Sequence, residues 1–70
     1  MSGKNINDLG NGLFELKPDN VRAYFKYIKN RIIIIGLIVL KKSQKAPRRY
    51  IEQAHRNIEK YLQENKEILS

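Results

Sequence analysis

The chain contains no cysteine. A disulfide framework and a thiolate metal site are therefore both excluded. It contains one histidine, His55, with no cluster of carboxylates beside it in sequence, so no zinc site and no other cofactor is expected. Tryptophan is absent, and only two prolines and four glycines punctuate the 70 residues. Acidic residues are scarce, at seven against fourteen lysines and arginines, which leaves a net charge of +7. No apolar segment follows Met1, which argues against a secretory signal. The longest apolar run, Ile32 to Leu40, has nine residues. That is well short of the roughly 20 needed to cross a membrane as a helix. A cytoplasmic protein with no membrane partner is expected.

The excess positive charge is concentrated. Residues 41–50 read Lys-Lys-Ser-Gln-Lys-Ala-Pro-Arg-Arg-Tyr, with five cations and no acid. Such a stretch is often only a solvated loop. Here it lies where an apolar run ends and a Pro-initiated helical pattern begins, a position suited to binding phosphate. Lys41, Lys42, Lys45, Arg48 and Arg49 are the candidate RNA-binding residues.

Residues 1–12, polar and closed by Gly10-Asn11-Gly12, read as a flexible arm. A single domain is expected over 13–66, with a frayed tail over 67–70. Leu13 to Lys17 reads as a short strand, ended by the turn tripeptide Pro18-Asp19-Asn20. Val21 to Ile28 alternates as a second strand, with Val21, Ala23, Phe25 and Tyr27 on one face and Arg22, Tyr24, Lys26 and Ile28 on the other. Lys29-Asn30 reads as a hairpin turn with positive φ at Asn30. Ile32 to Leu40, rich in β-branched residues and apolar on both faces, reads as a central strand. Gly36 within it implies a bulge or a close backbone approach. Ile51, Ala54, Ile58, Tyr61 and Leu62 then recur at helical spacing, predicting a helix over 47–65. The expected fold is α+β: a small three-stranded antiparallel sheet, one C-terminal helix and a short N-terminal arm. One helix stripe covers one face of Ile32 to Leu40. The second face requires another cover, and a homodimer in isolation is expected.

Gly12-Leu-Phe-Glu-Leu-Lys17, Val21-Arg-Ala-Tyr-Phe25, the isoleucine-rich run and Lys41-Lys-Ser-Gln-Lys-Ala-Pro47 ahead of a helix together resemble the RelE/HigB toxin family, in its phage-derived HigB-like branch. The resemblance covers about residues 9–64. It implies a RelE-like sheet and a toxin of a toxin–antitoxin system. The implied activity is that of an mRNA interferase, an endoribonuclease that cleaves translated mRNA at the ribosome by metal-independent attack of the 2′-hydroxyl. Its partners would be mRNA, the ribosome and a cognate antitoxin. The resemblance places Arg22 at the scissile phosphate and Lys41, Lys42 and Lys45 in the basic loop. Four features depart from the family pattern. The family's usual two helices before the first strand have no counterpart here, Lys17 stands where arginine is favoured, and Ala46 stands where threonine would cap the helix. No histidine follows the helix at the C-terminus, where some HigB members use one.

Metal-free RNA cleavage needs a base for the 2′-hydroxyl, cations for the pentavalent phosphate and an acid for the leaving 5′-oxygen. Arg22, Lys41, Lys42, Lys45 and Tyr50 are the candidate catalytic residues. Neighbouring cations lower a lysine's pKa and so suit it to proton transfer. Tyr50 can stack on a base, pass a proton, or simply flank the helix stripe. Tyr24, on the face of Arg22, reads as a core residue first and a stacking platform second. His55 reads as a partly buried helix residue and Glu15 as a solvent-facing strand residue. The alternative function is a catalytically inactive RelE-like module that binds antitoxin or nucleic acid.

Overall fold

The computed structural model describes residues 5–29, 31–40 and 47–69. Four strands, β1 (Ile6–Gly10), β2 (Leu13–Leu16), β3 (Val21–Lys29) and β4 (Ile32–Leu40), precede the helix α1 (Arg48–Glu64) and a short 3₁₀ turn at Lys66–Leu69. The strands form one antiparallel sheet in the order β1-β2-β3-β4. The architecture is α+β, but the three-stranded sheet expected above is corrected to four strands.

The extra strand comes from what reads as an arm. Gly10, Asn11 and Gly12 all take positive φ, at 90°, 53° and 80°, so the chain reverses tightly and lays Ile6–Gly10 along β2. Asn7 and Asp8 give this segment its loop-like composition, yet both find local partners. Asn7 Nδ2 donates to Glu15 Oε1 at 3.1 Å, and the Gly10 amide donates to Asp8 Oδ1 at 2.9 Å. An edge strand with satisfied polar side chains does not need strict apolar alternation.

The isoleucine-rich β4 lies at the other edge of the sheet, not at its centre. Its pairing with β3 skips Gly36: Tyr24 faces Leu37, and Phe25 faces Ile35. This bulge reverses the side-chain parity, so that Ile33 and Ile35, then Ile38 and Leu40, point to the same exposed side. A Cβ at Gly36 would meet the Ala54 carbonyl oxygen at 2.6 Å and Ile58 Cγ1 at 2.8 Å. Glycine therefore permits both the bulge and the close helix approach. Asn57 Nδ2 fixes that contact by donating to the Gly36 carbonyl at 2.7 Å. At the β3–β4 turn the positive φ falls on Arg31, at 61°, while Asn30 lies outside the described residues.

α1 covers one face of the sheet. Ala54 and Ile58 are fully buried there with Leu13 and Tyr24, and Tyr50, Ile51, Leu62, Ile34, Leu37 and Val39 pack around them. Tyr61, expected in the stripe, is largely exposed. The opposite face carries Phe14, Phe25 and Tyr27 as an aromatic group with ring centroids 5.2–5.8 Å apart. No described segment covers that face.

A candidate RNA-facing site at the start of the helix

Arg48, Arg49 and Tyr50 form the first turn of α1, with Pro47 as its N-cap. Pro47 contributes no capping side chain, and the first turn holds no acidic residue. The Tyr50 and Ile51 amides both donate to the Pro47 carbonyl, at 3.0 and 3.3 Å. Two arginines thus sit at the positive end of the helix dipole, where cations are unfavourable by about 0.3–1 kcal/mol each. An anion at this end would relieve the charge crowding and could accept from the first amides of the helix. Arg48 and Arg49 are exposed. The Arg49 guanidinium lies over the Tyr50 ring, 5.1 Å from its centroid, in cation–π geometry. Tyr50 is half-buried, with one side against the core and the other toward Arg49. Lys41, Lys42 and Lys45 lie outside the described residues.

Beneath the helix, β2 and β3 build a buried polar group. Glu15 and Tyr24 are directly opposed across the strands. Arg22 Nε lies 2.8 Å from Glu15 Oε2, with the two side chains only 2% and 4% exposed. Tyr24 is fully buried, with the Arg22 guanidinium as a polar neighbour. Burial pushes the Tyr24 phenol above its ordinary value, and the neighbouring Arg22 guanidinium offsets part of that rise. The Glu15 carboxylate and the nearby Tyr50 phenol push in the same direction as burial. The phenol is therefore a proton holder and not a base at neutral pH.

The candidates separate into two layers. Arg48, Arg49 and Tyr50 meet at the exposed helix start. Arg22 lies in the interior, its guanidinium paired with a carboxylate. Glu15, read from sequence as solvent-facing, is instead the buried partner of Arg22. The available signal was parity: Glu15 lies two residues from Leu13 on a strand, so both point under the helix. His55 is half-buried on α1, and burial first, then the Lys26 charge, lowers its pKa below 6.5, with Glu59 opposing. No helix among the described residues is long and apolar enough to cross a membrane.

A family model described as phage derived protein Gp49-like (DUF891) matches residues 2–59, and this family is associated with toxin–antitoxin modules. No curated protein and no solved structure matches the chain significantly.

Proposed function

Because the chain belongs to the phage-derived Gp49-like family, we propose that it is the toxin of a toxin–antitoxin pair and that its target is RNA. The observation that carries this reading is the start of α1. Two exposed arginines stand at a helix N-terminus whose cap, Pro47, offers no side-chain acceptor and whose first turn holds no acid, directly after a stretch that adds Lys41, Lys42 and Lys45. The arrangement is unfavourable for the isolated helix and favourable once a phosphate is present. The resemblance to RelE/HigB toxins supplies the finer proposal, an mRNA interferase acting on translated mRNA. In that mechanism Arg48 and Arg49 hold the phosphodiester and spread its developing charge. A lysine of the 41–45 stretch takes the 2′-hydroxyl proton. Tyr50, at the same helix turn, stacks on the base or protonates the leaving 5′-oxygen.

One observation favours a second reading, an inactive module that binds RNA or antitoxin without cutting. Arg22, which the resemblance places at the scissile phosphate, is 2% exposed and ion-paired to Glu15. Reaching a phosphate from there requires an exchange of partners.

Adding the purified chain to a translating extract and mapping the 5′ ends of a reporter mRNA separates the two. The interferase reading predicts new 5′ ends within the translated region, suppressed by the paired substitution Arg48→Ala and Arg49→Ala. An intact mRNA that the chain nevertheless binds selects the module.

A further inference from the structure

We propose that the sheet face opposite α1 is the contact between two copies of this chain. Cross-strand register places Ala23 beside Ile38, Phe25 beside Ile35 and Tyr27 beside Ile33 on this face. Tyr27, Ile33, Ile35, Ile38 and Leu40 are 58%, 49%, 55%, 60% and 69% exposed. With large side chains offering about 200 Å² each, these five leave on the order of 600 Å² of apolar surface in water. The half-buried Ile6, Phe14, Leu16 and Val21 on the same side extend the patch. Its area approaches the roughly 800 Å² per partner of a standard stable interface. It also stands at the upper end of the roughly 300–600 Å² that the largest apolar patch of a soluble chain ordinarily reaches.

The charge distribution leaves this face open to a second copy. Each chain carries +7, so two copies associate only where cations are absent. Within the paired rows of this face the ionisable side chains are Asp8, at the β1 rim, and the weakly acidic Tyr27. The arginines of the helix start, and Arg56 and Lys60 further along α1, belong to the opposite layer. Two such faces pack as a two-layered sandwich at about 10 Å, crossed by about 30° because each sheet has the same twist. A two-fold contact of this kind uses the same patch on both chains and closes, leaving both helix starts outside.

Sedimentation velocity at micromolar concentration tests the contact, together with intermolecular NOEs from a sample mixing isotope-labelled and unlabelled chains. The expected result is one species of twice 8.2 kDa, with cross-chain NOEs at the methyls of Ile33, Ile35 and Ile38. Ile35→Lys and Ile38→Lys, at positions already more than half exposed, should retain the helical circular dichroism. Each should weaken the dimer by about 100-fold or more, since each buries an unpaired charge. A folded wild-type monomer overturns the proposal, including one that pairs only after an acidic helical peptide is added. So does open-ended aggregation, or a dimer whose NOEs map to the helix or to the β4 edge.

Discussion

Arg22 Nε and Glu15 Oε2 meet at 2.8 Å beneath α1, in a place where neither side chain is more than 4% exposed. The second carboxylate oxygen, Oε1, accepts from Asn7 on β1. Three adjacent strands thus converge on one buried charge pair. Such a pair adds little net stability over a well-packed apolar substitute, because both ions lose their hydration. Breaking it is costly for the same reason.

Glu15→Ala or Arg22→Ala should each lower unfolding stability by about 3–5 kcal/mol, because each leaves an uncompensated buried charge. The double replacement Glu15→Leu with Arg22→Met should recover most of that loss. Urea unfolding of the four proteins measures both effects. Single-mutant losses below about 1 kcal/mol would show that the pair is solvated.

Much of this architecture was legible in the sequence, and the misreadings have physical causes. The Ile32 to Leu40 strand and the helix after Pro47 follow from β-branching and helical spacing, signals that tertiary context rarely reverses. β1 was hidden because Asn7 and Asp8 look like loop residues until their partners are known. The Asn11-Gly12 pair between Leu9 and Leu13 was nonetheless a hairpin signal. β4 reads as central because it is apolar on both sides, whereas it is an edge strand with one side open. Composition reports that a strand avoids water, not whether this chain or another supplies the cover. The burial of Arg22 was hidden because a strand arginine reads as a phosphate ligand unless a carboxylate is known to lie opposite its layer.

Gly36→Ala should destabilise the fold by about 1–3 kcal/mol, the range for overpacking a close contact. The new methyl meets the backbone carbonyl of Ala54, which cannot move without shifting α1. Asn57→Ala should cost about 1 kcal/mol through loss of its bond to the Gly36 carbonyl. Thermal unfolding ranks the two, and a neutral Gly36→Ala would mean that the helix sits further from β4.

Stability should fall on acidification through the histidine range. The His55 pKa is lowered in the fold, so below about 6.5 the unfolded chain binds a proton that the folded chain resists. The contribution is present above pH 6.5 and is lost as pH drops toward the folded value. His55→Gln should flatten the urea midpoint between pH 7 and pH 5.5. An unchanged slope in the variant would assign the pH dependence to the carboxylates.

The most direct test of an RNA-directed role is the salt dependence of affinity for a single-stranded RNA oligonucleotide. If Arg48 and Arg49 each hold a phosphate, log K should fall linearly with log salt, and the Arg48→Ala, Arg49→Ala double variant should have a slope shallower by about 1.4. A wild-type chain that ignores RNA at low salt, or a double variant with an unaltered slope, would contradict the account.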